Sequence, residues 1–510
     1  MASKKATLYQ KAIQDFMAAC KGHLIIEAGA GSGKTTTLVA GIKLIPPSKR
    51  VLVTSFQTAI VSVIAEACEG LTNVDVKGTH QLGYDLVTRN LFCFRRGQKY
   101  AGQDRIKEII KELGKKGKDE YHEWVESDEI TYQLFCLMNW VKETNPFFSN
   151  FEEVLNCAPK FLEDYIPPEL DACDCFQLGA EIVYRGILDL ITQAKEKKIK
   201  LVFDFADMLF LPLRLDLIKP LYDCLVVDEA QDMNKAQLEL IQRLLKKKGC
   251  LTACGDSYQG IHAWRGAEIG ILKELAESYK ATILRLPESF RVPQSGVRHA
   301  QEYNPHFLAR PENPEGAVNE GVTLEEMRIG IKPGDALLSR INGPLVRHAL
   351  RFGAQGIPNF IQGIGLDKKF LGILWAIERG GAFLSLGDMA TRILDWKTRL
   401  LATAGKIKSA EKREEAIQEV QDKYDVFEQV LKEALDPKDV KKRIKKLFPN
   451  TTKLDPTKHI VLSSVHRSKG LEWNTVWILM NKMNNKTEEE SNLCYVGFTR
   501  HKETLNKVVQ

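Results

Sequence analysis

The stretch AGAGSGKTT (Ala28–Thr36) constrains this chain more than any other, because of what flanks it. An apolar run begins at His23, and a helical pattern continues to Ile45. Successive small residues let backbone N–H groups curl around an anion, and the following helix N-terminus adds a favourable dipole. In such a loop Lys34 reaches the β- and γ-phosphates and the Thr35 hydroxyl ligates Mg²⁺. Ala28, Gly29, Ala30, Gly31, Ser32, Gly33 and Thr36 complete the cradle. Its first position is Ala28 where the strict pattern has Gly, so the flanking strand and helix carry part of the assignment. A phosphate loop of this kind calls for a carboxylate at the end of a second buried strand. LVVDEAQD (Leu225–Asp232) supplies it, with Asp228 for the metal shell and Glu229 to orient and deprotonate an attacking water.

The rest of the chain repeats the strand-and-helix rhythm twice. VLVTSF (Val51–Phe56), CLTACGD (Cys250–Asp256) and ATILRL (Ala281–Leu286) alternate with helical patterns, and HIVLSSV (His459–Val465) and TVWILM (Thr475–Met480) resume it later. Alternation of this type predicts parallel sheets with helices on both faces. Two stretches interrupt it, the first rich in helix formers and aromatics without strand alternation and the second in long, densely charged helical patterns, so the reading is two α/β cores, each carrying a mainly helical insert. The first core takes residues 1–84 and 191–275 around an insert at 85–190; the second takes 276–363 and 456–510 around an insert at 364–455.

Composition sets the outer limits. With 44% hydrophobic and 27% charged residues, the chain is not a disordered or low-complexity protein. Its 72 Lys and Arg against 66 Asp and Glu leave +6, which permits a polyanion partner without arguing for one. Nothing approaches the ~20 apolar residues of a membrane span. The opening MASKKATLYQ lacks a signal-peptide core, so the expectation is a soluble, unsecreted protein of the cytoplasm, or of host cytoplasm or nucleus. The eleven cysteines are scattered without a CxxC pair and read as reduced, mostly buried thiols rather than a metal or disulfide framework. The tracts Lys246–Lys248 and Lys441–Lys446 read as solvated helix faces.

A series of further motifs follows in order: TSFQTA (Thr54–Ala59), GTHQL (Gly78–Leu82), DEAQD (Asp228–Asp232) and CGDSYQGIHAWRGA (Cys254–Ala267). LPESFR (Leu286–Arg291), SVHRSKGLEW (Ser464–Trp473) and LCYVGFTR (Leu493–Arg500) complete it. The series resembles the UvrD-like group of superfamily 1 DNA helicases, and the resemblance runs from Gln10 to Arg500. It implies two RecA-like P-loop NTPase cores that use ATP and Mg²⁺. It also implies a role for each matching residue. Gln10 reads the adenine edge, with Gln14 as the other choice; Phe290 stacks on the adenine; Gly470 and Glu472 lie by the nucleotide, Glu472 at the ribose; Gln259 senses the γ-phosphate. Arg291 and Arg500 are the arginine fingers, donated by the second core. A planar guanidinium suits that task, since it offers fixed donors to the charge developing on a transferred phosphoryl group.

On the nucleic-acid side the resemblance assigns Phe56 and Trp264 to single-stranded DNA, with Thr79, His80, Arg265 and His466 as neighbours. Aromatic faces suit a grip that ignores sequence, at roughly 1–3 kcal/mol per stacked base. Two departures, His262 for a common tyrosine and Thr36 for a frequent arginine, bear on coupling and base contacts rather than on hydrolysis. Ten residues follow Arg500, and the expectation is no C-terminal nuclease domain. The expected activity is ATP-driven movement on single-stranded DNA, 3′ to 5′, with unwinding of tailed or forked duplexes by a monomeric motor whose helical inserts meet protein partners. The alternatives are a translocase that strips proteins from DNA, and an ATP-gated DNA-sensing subunit of a larger nuclease complex with little unwinding of its own.

Overall fold

The computed structural model describes residues 6–91, 101–114, 120–167, 169–196, 201–261, 270–355, 357–362, 366–378, 381–405, 407, 410–447 and 455–509. Two compact units emerge. The first is Met1–Ala28 with Ser32–Pro287, and the second is Glu288–Gln510 with the tripeptide Gly29–Gly31.

The first unit is built on a six-stranded, wholly parallel sheet. Its strands are β1 (Leu24–Ala28), β2 (Val51–Ser55), β3 (Val74–Val76), β4 (Tyr222–Asp228), β5 (Leu245–Gly255) and β6 (Thr282–Leu286), in the order β3-β2-β4-β5-β1-β6. The apolar runs at its centre suit strands buried on both faces. Alternate side chains serve separate cores. Ile25, Leu52, Leu225 and Val227 enter one cluster, while Leu24, Ile26, Val51, Val53 and Val226 enter the other. Strand β6 corrects the expected boundary at 275/276: it pairs with β1 in register, Leu24 against Thr282 and Ala28 against Leu286, so the first unit extends to Pro287. Lys246–Lys248 are exposed as expected but belong to the start of β5, not to a helix.

The interruption after residue 84 is mainly helical, and its described residues up to 190 contain no strand. Helices Ala101–Gly114, Asp128–Thr144 and Ala172–Glu196 pack around their own core of Ile106, Leu134, Leu137, Met138 and Ile187. That core does not stop at residue 190. Leu201, Phe203, Phe210 and Leu211 belong to it; the helix Phe205–Arg214 is buried on nearly all sides and sends Leu209 and Leu213 into the cluster of the first sheet instead. The same helix buries Asp207, whose carboxylate meets Lys142 Nζ at 2.6 Å with both side chains fully covered.

The second unit opens with a short pair, β7 (Glu288–Ser289) and β8 (Leu308–Ala309). It continues with β9 (Ala317–Val322), β10 (Ala336–Ser339), β11 (Asn359–Ile361), β12 (Ile460–Ser464), β13 (Trp473–Leu479) and β14 (His501–Val508). These last six form a second parallel sheet, ordered β11-β12-β10-β13-β14-β9. Helices Leu366–Glu378, Leu386–Gly405, Ala410–Glu433 and Pro437–Leu447 fill the later insert. They have no core apart: Leu374, Met389, Phe427 and Ile444 share one cluster with Leu337, Leu462 and Leu479 of the sheet. Among the described residues no helix is long and apolar enough to cross a membrane.

Candidate active site

The phosphate loop leaves β1 and enters the helix Lys34–Ile42. Gly33 caps that helix at φ +77°, a left-handed conformation that glycine adopts without a Cβ penalty. No side chain caps it, so the first-turn N–H groups remain for an incoming acceptor. Ser32 Oγ is buried in the same loop with no hydrogen-bond partner among the described residues.

The strand order explains how distant motifs converge. Strand β5 lies between β1 and β4, and in a parallel sheet all three carboxyl ends open on one edge, where ligands of α/β proteins sit. Thr35 Oγ1 donates to Asp228 Oδ2 at 2.9 Å across 193 residues of sequence. Lys34 Nζ lies 3.4 Å from Glu229 Oε1. Glu229 itself stands at φ +52°, a strained conformation for a residue with a side chain. Its N–H donates to Asp228 Oδ1, which locks the two carboxylates into one corner.

Gln231 and Asp256 were not singled out in the sequence, yet they tie the corner together. Gln231 Nε2 donates to Glu229 Oε2 at 2.6 Å, and Gln231 Oε1 accepts from the Asp256 N–H. Asp256 Oδ2 accepts from Gln259 Nε2 at 2.6 Å, linking the expected γ-phosphate sensor to the same network. Gly255 permits this closeness, since a Cβ there would overlap Gln231 Oε1. The available signal was a polar residue just past each strand end, Gln in DEAQD and Asp in CGDSYQ.

Burial shapes the charges. Desolvation, reinforced by neighbouring Glu229, pushes Asp228 up to about 6, and desolvation does the same to Asp256. For Lys34 burial works against the ammonium, but Glu229, Asp256 and Asp228 outweigh it and hold the group above the ordinary lysine value. One cation among three carboxylates leaves excess negative charge, and a hydroxyl and a carboxylate oxygen side by side are the hard donors that Mg²⁺ takes. The residues present fit that ion.

The UvrD/REP helicase N-terminal domain model matches residues 9–280, more than half of the chain. The chain belongs to the UvrD/REP helicase family. The UvrD-like helicase C-terminal domain model matches residues 383–507. Similar curated proteins include DNA helicase II of Haemophilus influenzae, 34% identical over 19% of this chain and 15% of the relative. ATP-dependent DNA helicase PcrA of Staphylococcus epidermidis is 25% identical over 59% of this chain and 40% of the relative. ATP-dependent DNA helicase Rep of Salmonella typhimurium is 28% identical over 29% of this chain and 23% of the relative. The chain thus matches less than half the length of each of these relatives.

Other motif residues of this UvrD/REP family member fall into place within their own units. Gln10 is buried at the third position of the helix Leu8–Ala19, where its Oε1 accepts from the Thr7 N–H in a capping box. Thr36 is exposed. Phe56 follows β2 and is half-buried, and His80 sits edge-on to Phe205, rings 5.9 Å apart. Phe205 was passed over in the sequence, though 60% of its surface is exposed. Thr79, expected beside nucleic acid, is buried, its hydroxyl accepting from Gln237 Nε2. Trp264 and Arg265 lie outside the described residues, as does His262.

In the second unit Phe290 carries the Arg310 guanidinium 4.5 Å from its ring centroid. Glu472 is exposed and pairs with Lys502 at 2.8 Å and Arg291 at 3.5 Å. Arg500 is almost fully buried and donates to the Val496 carbonyl, with Thr499 Oγ1 a second acceptor. Glu472 and Arg500 precede adjacent strands β13 and β14, so both stand at the amino ends of this sheet. Gly470 lies exposed in the turn before β13. His466 follows β12; burial, with Arg340 nearby, pushes it down to about 4 and keeps it neutral.

Proposed function

We propose that this chain is an ATP-dependent DNA helicase that hydrolyses ATP to move 3′ to 5′ on single-stranded DNA and unwind duplexes. The observation that carries the reading is the convergence of Lys34, Thr35, Asp228 and Glu229 into one buried corner, in a family whose similar members are named DNA helicases. Lys34 neutralises phosphate charge, a task for which its ammonium stays protonated at any working pH. Glu229, oriented by Gln231, accepts the proton of the attacking water. Thr35 and Asp228 would hold Mg²⁺, whose contribution is to neutralise charge on the phosphate oxygens. Gln259 senses the γ-phosphate, and Arg291 and Arg500 are its arginine fingers. Gln10, Phe290 and Glu472 hold the nucleoside. Phe56, Trp264 and His80, with exposed Phe205, offer sequence-independent grip on bases. The motor works as a single chain in the cytoplasm.

The test is ATPase activity titrated with single-stranded DNA, followed by unwinding of 3′- and 5′-tailed duplexes. Lys34→Ala should abolish the DNA-stimulated ATPase, and retained activity in that variant would sink the site assignment. Strand displacement restricted to 5′-tailed substrates would refute the direction of movement.

A further inference from the structure

Away from the strand ends that hold the carboxylates, the first unit gathers three thiols. Cys224 and Cys250 are register partners on β4 and β5, so their side chains leave the sheet on the same face. Cys20 ends the helix Leu8–Ala19 in a left-handed conformation, φ +47°. The Sγ atoms of Cys224 and Cys250 are 3.1 Å apart, and those of Cys20 and Cys224 are 3.9 Å apart. All three lie within 4.8 Å of one another. Asp228 lies four steps along the strand from Cys224, about 13 Å at the usual rise, so this cluster is distinct from the nucleotide corner.

We propose that Cys20, Cys224 and Cys250 bind a soft, thiophilic cation of the Zn²⁺ class through three thiolates. A Zn–S bond of ~2.3 Å places tetrahedral sulfurs about 3.8 Å apart. The Cys20–Cys224 pair already has that spacing, and the Cys224–Cys250 pair must open by about 0.7 Å to reach it. An all-sulfur donor set selects soft metals over the hard ion of the nucleotide site. A cavity of about 10 Å³ adjoins the thiols, lined also by Phe16, Met17 and Lys21. That is close to the room one water needs, and it leaves a fourth ligand position open. Cys20 and Cys250 are only partly buried, so an ion can enter. Binding would release the thiol protons to solvent. The bound ion would staple β4 to β5 and to the first helix, three elements that no covalent bond joins locally.

The experiment uses the full chain, reduced and stripped of metal by chelation, titrated anaerobically with Cd²⁺ alone. The readout is the ultraviolet thiolate-to-cadmium charge-transfer absorption, with the thermal midpoint as a second measurement. One saturating equivalent and a raised midpoint are expected. Cys20→Ser and Cys250→Ser, at partly buried positions, should each weaken binding by more than the roughly 10–100-fold typical of losing an outer-shell partner. Circular dichroism verifies that each variant is folded. Cys173→Ser, at an exposed cysteine outside the cluster, should change nothing. Binding that survives in folded Cys20→Ser and Cys250→Ser overturns the proposal. So does a reduced chain that takes up no Cd²⁺ yet closes a Cys224–Cys250 disulfide in air, which would make the cluster a redox pair.

Discussion

The two α/β units each carry a six-stranded parallel sheet, yet they bury polar groups in opposite ways. The first buries charge against charge: Lys34 with Glu229, and Lys142 with Asp207. The second buries neutral histidines, His348 and His501, each pushed down to about 4 by desolvation, and rests Arg500 on carbonyl and hydroxyl oxygens. Paired charges in a low-dielectric setting hold geometry tightly, but they collapse when one partner is lost. Neutral histidines cost little at neutral pH and become a liability when protons arrive. The difference teaches where each unit is vulnerable: the first to substitution, the second to acid.

The largest effect should come from the first unit's corner. Glu229→Gln keeps the Gln231 contact sterically possible but removes the proposed base, and kcat should fall roughly 10²–10⁴-fold. A steady-state ATPase assay decides it. If the rate is unchanged, the network is structural and the contrast between the units loses its functional half.

Next in size is the ion pair of the helical insert. Lys142→Met strands Asp207, and beside it Asp204, in a dry core, and should cost the first unit about 3–5 kcal/mol in urea unfolding. The double change Lys142→Met with Asp207→Leu should recover most of that loss. A double variant as unstable as the single one would show that packing around these side chains, not the stranded charge, sets the cost.

Acid should separate the units in sign. A histidine whose folded pKa is depressed leaves stability intact above about 6.5 and loses it progressively toward about 4, because the unfolded chain binds the proton first. Between pH 7 and 5 this costs the second unit about 2 kcal/mol for each of His348 and His501. Asp256 works the other way. Its folded pKa of about 6 lies above the usual carboxylate value, so its penalty at neutral pH is relieved on acidification. His23 in the first unit, lowered by burial, partly offsets that gain. Calorimetry without nucleotide should show a transition from the second unit that moves down faster with acid than that of the first. Parallel shifts would break the contrast.

The smallest expected effect is at a surface cap of the second unit. Thr323 and Glu326 form a capping box at the helix Leu324–Gly330, and Thr323→Ala should cost about 1 kcal/mol by thermal melting. A change near zero would mark that helix as frayed and outside the cooperative core.

The two inserts show how far sequence reading could reach. Both were legible as helical, the first from its helix formers and lack of strand alternation and the second from long, densely charged helical patterns. Their cores were not. The first closes a core of its own by recruiting Phe203, Phe210 and Leu211 from beyond residue 190. The second closes none and shares the cluster of the sheet through Phe427 and Ile444. Helical periodicity reveals that a face is apolar but not what covers it. Strand β6 has the same lesson, since ATILRL is a strand in either unit until β1 claims it.

What the sequence by itself determined is the chemistry that contiguous residues can carry. A Gly-rich turn between a strand and a helix, and a carboxylate pair ending an apolar run, act through local backbone geometry, and so AGAGSGKTT and LVVDEAQD were readable where they stand. Tertiary structure alone decided the groupings across long separations. It placed Asp228 against Thr35, threaded Gln231 between Glu229 and Asp256, turned Thr79 inward to Gln237, and set Cys20 beside Cys224 and Cys250. The reason is physical: local motifs are fixed by bonded geometry and short loops, whereas distant partners meet only where strand order and the burial of apolar faces bring them together.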